Sequence, residues 1–278
     1  MEKQQFAGVF PAKKKDGTEY YRASITFAGK HISLGSFTTP QDAAAAYAEA
    51  NDILHQPVSR AVIHASSLTT TYQATHNILA FSKWVILVNF RDNGIYSKSP
   101  IYLLKKYFIY FLSPEVALKF DVDDLFYYSN HPIIARNGYL YVNEYGMQTN
   151  ILSRYGIHNF AVCGRDYDFA NNDHHDFRYG NIIVINPYFG VQRILRNGRT
   201  RYKVRIHITG DYVVGTYPTE TEAAVAYNKA ADILRSKGVQ KEYPSNYIEE
   251  LSPIEYAKLY NHAKISARIR EFPSLIEH

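Results

Sequence analysis

Two segments of this 278-residue chain alternate between apolar and polar residues. One runs from Tyr21 to Phe27 and the other from Tyr202 to Thr209. A period of two places successive side chains on opposite faces, which predicts strands that bury one face. The polar faces of these strands carry Arg22, Ser24 and Thr26 in the first segment, and Lys203, Arg205, His207 and Thr209 in the second.

Turn residues and a helix follow each of these strands. Ala28-Gly29-Lys30 turns the first chain segment into a further strand from His31 to Phe37, and Asn197-Gly198 marks a tight hairpin before the second segment. Thr39 and Thr219 precede segments in which apolar residues recur at helical spacing, so each is placed as a helix N-cap. The apolar residues are largely alanine, so we expect a thin helix that covers one sheet face and leaves the other open to water or a ligand.

The two segments belong to an internal repeat. LGSFTTPQDAAAAYAEANDIL, residues 34–54, matches VGTYPTETEAAVAYNKAADIL, residues 214–234. Gly8-Val9 likewise corresponds to Gly190-Val191, and the offset falls from 182 to 180 through two single-residue gaps. Such a repeat predicts two units of the same fold.

These patterns predict an α+β protein with two small units, each a three-stranded antiparallel sheet packed on one α-helix. A central, mostly β domain separates them. The predicted segments are 1–56, 57–185, 186–243 and a helical tail, 244–278, whose helical spacing runs from Pro253 to Phe272. Aromatic and aliphatic residues between 57 and 115 predict further strands of the central domain. The tail packs either on the second copy or on another subunit.

Positive charge is concentrated in one segment. The net charge is +5, and residues 186–243 hold 10 basic and 5 acidic residues, whereas the other three segments are nearly neutral. A local positive field favours a polyanionic partner, although a solvated surface is an equally ordinary interpretation of a basic patch.

The remaining composition favours a soluble, cytoplasmic protein. The single cysteine, Cys163, excludes a disulfide within the chain and argues against a cysteine zinc site. Lys83 and Lys105-Lys106 interrupt the apolar runs, which are shorter than the ~20 residues of a membrane-spanning helix. The first ten residues lack the layout of a signal peptide. We expect no cofactor.

The repeated residues resemble the ethylene-response-factor (Apetala-type) DNA-binding domain of plants. The resemblance rests on Gly-Val at the start of each copy, the alternating strand, Leu34-Gly35-Ser36-Phe37 or Val214-Gly215-Thr216-Tyr217, and the alanine-tyrosine helix. It implies that the sheet enters the major groove while the helix supports it from behind. The family's arginine and tryptophan contacts are largely missing, and the sole tryptophan, Trp84, lies outside both copies. Its sequence preference is therefore not carried over.

Candidate DNA contacts follow from this resemblance by position. In the second copy they are Gln192, Arg193, Arg196, Arg199, Arg201, Lys203, Arg205, His207 and Val213. In the first copy they are Phe10, Lys13, Lys14, Lys15, Arg22, Ser24, Thr26, His31 and Ser33. Because the first copy carries no net charge, contact with a protein is the alternative for its face.

The segment between the copies resembles the HNH homing endonucleases. The matching residues are Asp168, Asn171, Asp173, Asp176, Arg178, Asn181 and Ile182. HNH chemistry needs an imidazole that deprotonates water and a divalent metal. Here Ser153 and Phe169 stand where the family has histidines, and Phe177 replaces an asparagine. His174-His175 could in principle supply a ligand, but adjacent histidines in a polar loop are more often solvated.

The leading expectation is a non-enzymatic protein that binds double-stranded DNA in a sequence-specific manner. It would act as a bacterial or mobile-element transcriptional regulator and associate with the nucleoid when bound. The alternatives are a metal-dependent nuclease that uses His174 or His175, and a protein-interaction module. A homodimer or protein contact through the first repeat or the tail also remains open.

Overall fold

The computed structural model describes residues 6–57, 64–74, 78–159 and 161–275, with helices and antiparallel strands in an α+β arrangement. The helices are α1 (Pro40–His55), α2 (Ala65–Ala74), α3 (Phe81–Asn93), α4 (Leu125–Asn130), α5 (Glu220–Ser236), α6 (Pro253–His262) and α7 (Ala267–Arg270). The strands are β1 (Val9–Lys13), β2 (Glu19–Phe27), β3 (Lys30–Phe37), β4 (Ile101–Leu103), β5 (Tyr107–Phe111), β6 (Ala117–Asp121), β7 (Ile133–Arg136), β8 (Tyr139–Glu144), β9 (Met147–Asn150), β10 (Tyr167–Phe169), β11 (Ile182–Val184), β12 (Val191–Arg196), β13 (Arg199–His207) and β14 (Asp211–Tyr217).

The chain divides into two compact units. Unit 1 comprises Met1–Ile151 with Asp173–Asn181, and unit 2 comprises Leu152–Asn172 with Ile182–His278. Each unit contains one copy of the repeat. Residues that the sequence assigns to a separate central segment are thus grouped with one repeat or the other.

Both repeats have the predicted three-stranded sheet and helix. The sheets β1-β2-β3 and β12-β13-β14 are antiparallel meanders. The N-terminus of α1 is capped by Thr39, whose hydroxyl accepts from the backbone N–H of Asp42 at 3.1 Å, and Thr219 accepts from Glu222 at 3.2 Å on α5. These caps satisfy backbone donors that the first helical turn leaves unpaired.

Small side chains bring each helix close to its sheet. Ala43, Ala46 and Ala50 on α1 are fully buried, as are Ala223 and Ala226 on α5. Alanine adds only a methyl group beyond the backbone, so the helix axis can approach the sheet more closely than leucine would permit. The predicted thin backing helix is confirmed.

A glycine and a tyrosine meet at the same place in both repeats. Gly8 and Gly190 have φ values of +69°, a conformation that glycine adopts without strain. A β-carbon on Gly8 would collide with the Tyr47 ring, and one on Gly190 would collide with the Tyr227 ring. Each glycine therefore allows a helix tyrosine to lie directly on the chain that enters the first strand.

In unit 1, α3 packs against α1 and completes the core of the first repeat. Trp84, Val85 and Val88 of α3 share this core with Ala46 and Leu54 of α1. The prediction of strands for residues 57–115 is therefore wrong at α2 and α3 and correct at β4 and β5. Residues 81–90 of α3 are apolar on nearly every side, so their period could not distinguish a buried helix from a strand.

The β4-β5-β6 sheet is covered on both faces within unit 1. Ile109 and Phe111 join the core that contains α3, whereas Phe108 stacks on Phe120 with ring centroids 5.5 Å apart. Phe120 also packs against Tyr128, the first residue after this sheet to be completely buried. Burial on both faces explains why β5 has a continuous apolar run rather than an alternating one.

In unit 2, the C-terminal tail packs on the second repeat. Asn246 exchanges hydrogen bonds with Asn228 of α5, and Lys229 donates to the carbonyl of Ala263 at 3.0 Å. Ile265 and Ile269 are buried in the same core as α5. The helical spacing from Pro253 to Phe272 corresponds to two helices, α6 and α7. Residues 263–266 separate them, and Ser266 among these bonds to β14.

We predict that Gly8→Ala destabilises unit 1 by about 3 kcal/mol, because left-handed backbone costs an L-residue about 1–2 kcal/mol and overpacking adds about 1–3. Gly29→Ala is the matched control, since Gly29 has φ +74° and open space around its α-carbon. It should cost only about 1 kcal/mol. Urea unfolding followed by fluorescence of Trp84, the sole tryptophan, measures both. Equal losses would contradict the tyrosine contact.

Candidate nucleic-acid interface

The face of the β12-β13-β14 sheet opposite α5, here called the outer face, is defined by the strand register. Val191 pairs with Val204, and both are buried toward α5. Alternation from this pair assigns the neighbouring pairs to the outer face. Its residues are Gln192, Ile194, Arg196, Arg199, Arg201, Lys203, Arg205, His207, Asp211, Val213 and Thr216. The sequence interpretation missed Ile194, Asp211 and Thr216. Alternation from Val191 could have identified Ile194, whereas the bulge between β13 and β14 hides the facing of β14 residues from simple alternation.

Five cations lie on this outer face, and they set its charge. Arg196, Arg199 and Arg205 are exposed, while Arg201 and Lys203 are half-buried. Within the described ranges, none of the five forms an ion pair with an acidic side chain. The one acidic residue on the face, Asp211, bonds His207 at 2.9 Å. These five positive charges are therefore available to interact with a ligand that binds to the outer face.

Arg193 does not lie on the outer face, although the sequence places it among the DNA contacts. It pairs with Tyr202, whose side chain packs against the core that contains α5. Arg193 interacts electrostatically with Glu220 in the first turn of α5. Burial raises the pKa of Glu220, and Arg193 opposes this shift. Successive residues of a strand point to opposite faces, so Gln192 and Ile194 face outward while Arg193 does not.

Two local features shape the outer face. Asn197 and Gly198, with φ of +51° and +72°, form the two-residue turn between β12 and β13. Positive φ at both positions matches the strand twist and holds Arg196 and Arg199 side by side across the hairpin. At the other edge, the hydroxyl of Tyr217 donates to the carbonyl of Lys264 at 2.7 Å and fixes β14 to the tail. Burial raises the pKa of Tyr217 to about 12, so the hydroxyl keeps its proton.

The equivalent face of the first repeat is nearly neutral. Its outward positions on β2 and β3 include Arg22, Ser24, Thr26 and His31, with a 3.4 Å contact between Thr26 and His31. Ser24 occupies the position of Arg205, and Thr26 that of His207. Arg22, at the position of Lys203, is the one cation on the outward face of these two strands, because Lys30 of β3 pairs with Phe27 on the helix-facing side.

The lysine loop of the first repeat contributes charge outside that face. The Lys13 ammonium bonds Glu19 at 3.1 Å, and the register places this pair on the helix-facing side of the sheet, not with Arg22. Lys14 and Lys15 are exposed at the turn that follows β1. The two copies thus share a backbone while their surfaces differ in charge.

The residues that resemble HNH endonucleases are divided between the units. Asp168, Asn171 and Ile182 belong to unit 2, where Phe169 of β10 pairs with Ile182 of β11. Asp173, Asp176, Arg178 and Asn181 belong to unit 1. In unit 2 the carboxylate of Asp168 accepts from the backbone N–H of Phe169 at 2.8 Å.

In unit 1, the two carboxylates of this segment bind side chains of the same unit. Asp173 accepts from the ammonium of Lys119 at 2.7 Å, which lowers the pKa of the carboxyl group. Asp176 is fully buried and pairs with Arg178, whose Nε donates at 2.8 Å. Backbone bonds from Lys119 to His175 and from Phe177 to Lys119 attach the segment to β6. These interactions give both aspartates a structural role.

The two phenylalanines at positions that the HNH resemblance assigns to polar residues are buried. Phe169 is buried in unit 2, and Phe177 is buried in unit 1, where it stacks on Phe120 at 5.5 Å. Ser153 is exposed, and the side chain of His175 is 57% exposed and 4.0 Å from Asp173. Over the described part of the chain, no three His, Cys, Asp or Glu side chains are grouped so as to hold a metal ion.

Comparisons of this chain with family models, curated proteins and solved structures found no match. Among the described residues, no helix has the length and apolar character required to cross a membrane.

We predict that Phe177→Ala destabilises unit 1 by about 3 kcal/mol, the usual cost of removing a buried phenylalanine ring. His175→Ala is the control, because the His175 side chain is largely exposed, and its stability should equal that of the wild type. Urea unfolding monitored by Trp84 fluorescence measures both variants. A fully stable Phe177→Ala protein would contradict the assignment of this position to the core.

Proposed function

We propose that the protein binds double-stranded DNA through the outer face of the second repeat. The observation that carries the proposal is the set of five cations on that face, none of which is paired with an acidic side chain in the described structure. Phosphate neutralisation is the main source of affinity for DNA, and lysine and arginine side chains provide it.

The dimensions of the sheet suit the major groove. Three strands about 4.8 Å apart make a ribbon roughly 10 Å across, and the groove is about 12 Å wide. The thin helix α5 lies behind the ribbon, so its bulk does not obstruct entry.

The outer face offers side chains for both classes of DNA contact. Arg196 and Arg199 at the hairpin are suited to phosphates beside the groove, which position a protein without reading sequence. Arg205 and Lys203, on the central strand, are suited to the acceptor atoms of guanine, and Gln192 to adenine. We propose sequence-specific binding on this basis.

The first repeat has a different place in the proposal. Its hydroxyl-rich face, with Arg22 as the one cation on β2, supports a protein contact or a second copy of the chain better than a phosphate backbone. Contact with DNA through Arg22 and the exposed Lys14 and Lys15 is the competing assignment. The tail is packed on its own repeat, which reduces the surface it offers to a partner.

We further propose a non-enzymatic role in transcription regulation in a bacterial or mobile-element setting, within the cytoplasm. Asp173 is bound by Lys119 and Asp176 by Arg178, and this engagement of both carboxylates supports the absence of nuclease chemistry. The single cysteine agrees with a reducing compartment. Incubation with supercoiled DNA and magnesium, manganese or zinc distinguishes binding from cleavage, since a binder leaves the plasmid intact.

We predict that Arg205→Gln weakens binding to a selected duplex about tenfold, as expected when a base or phosphate contact is lost. Arg193→Gln is the matched control, because it removes the same charge from the opposite side of the same sheet. Its effect should be less than about twofold. Fluorescence anisotropy at fixed salt measures both dissociation constants.

Equal losses in the two variants would mean that net charge, and not the outer face, determines affinity. Absence of binding by the wild-type protein at ~100 mM salt would refute the proposed function itself.

A further inference from the structure

The outer face of the second repeat also carries exposed aliphatic side chains. Val213 of β14 is 42% exposed, and Ile194 of β12 is half-buried. Val213 lies opposite Arg205 across the strand pair. An exposed aliphatic side chain makes no favourable interaction with water. Because cations surround it, the ligand that suits this face best presents hydrogen-bond acceptor atoms beside an apolar group.

A β-bulge aims Val213 outward. The register shifts between Val204 and Arg205, so that Gly215 faces Val204 while Val213 faces Arg205. The extra residue, Val214, is fully buried toward α5. Bulges commonly re-aim a side chain in this way. The first repeat has the same shift, with Ser33 opposite Ser24.

The backbone that carries Val213 is fixed by the tail. The hydroxyl of Ser266 donates to the carbonyl of Val213 at 2.8 Å, and its backbone N–H donates to Val214 at 2.8 Å. These bonds occupy the free edge of β14 and hold the outer position of Val213 before any ligand arrives. A preorganised contact loses less conformational entropy on binding.

The apolar group that the major groove presents to such a side chain is the C5 methyl of thymine. Directly opposed residues on neighbouring strands have β-carbons about 5 Å apart, which lies between one and two of the ~3.4 Å steps that separate successive nucleotides, so their side chains can reach neighbouring bases. We infer that Val213 is a specificity residue that contacts a thymine methyl group beside the base contacted by Arg205. This inference rests on the proposed DNA binding.

The test uses a duplex selected from a random library and replaces each thymine in turn with 2′-deoxyuridine, which lacks only the methyl group. For the wild-type protein, we expect one substitution near the Arg205 contact to weaken binding about fourfold, as the loss of one buried methyl group implies. The first repeat has Ser33 at the position of Val213. The variant Val213→Ser should therefore bind the thymine and deoxyuridine duplexes equally.

Leu195→Ser is the control for loss of an exposed aliphatic residue. Leu195 is 76% exposed, but its partner Thr200 places it on the side of the sheet opposite Val213. This variant should retain the fourfold preference for thymine. The inference is overturned if no thymine is sensitive in the wild type, or if the sensitivity persists in Val213→Ser. Tight wild-type binding in either case would leave the proposed function standing, whereas no binding to any duplex would remove both.

Discussion

The fit of a helix tyrosine onto a glycine is the interaction on which each repeat depends. At Gly8 and at Gly190, a hydrogen atom replaces a side chain, so the rings of Tyr47 and Tyr227 can lie against the chain. The carbonyls of the same glycines accept from the N–H groups of Ser24 and Arg205, at 3.0 and 2.8 Å. Ring and hydrogen bond together join the first strand, the central strand and the helix. The buried alanines extend this close approach along the helix.

Because that interaction lies on the buried side, it places no restriction on the outer face. The two repeats keep the same glycine, tyrosine, bulge and N-cap threonine, yet Ser24 stands at the position of Arg205 and Thr26 at that of His207. The face of the helix that points away from the sheet is covered by α3 in unit 1 and by the tail in unit 2. The shared sheet and helix therefore act as a support whose exposed face can change independently.

The repeats could be predicted because their signals are local: alternation, turn residues and capping threonines act within a few residues. What covers α1 could not, since α3 is apolar on nearly every side and has no distinctive period. For α5, the sequence leaves the tail's packing open between the second copy and another subunit. The break between α6 and α7 depends on bonds from Ser266 to a strand 53 residues earlier, which no local pattern reveals. Position in the motif places Arg193 among the outward residues, whereas strand alternation places it on the side of the sheet that faces α5.

The most direct test of this account exchanges the surface of one repeat for that of the other. The triple variant Arg201→Tyr, Arg205→Ser and His207→Thr gives β13 the outward residues that Tyr20, Ser24 and Thr26 provide on β2. We expect thermal unfolding close to that of the wild type, since β2 already supports these residues on the same scaffold, together with loss of duplex binding in an anisotropy titration. Unchanged DNA affinity in a folded triple variant would contradict the assignment of binding to this face.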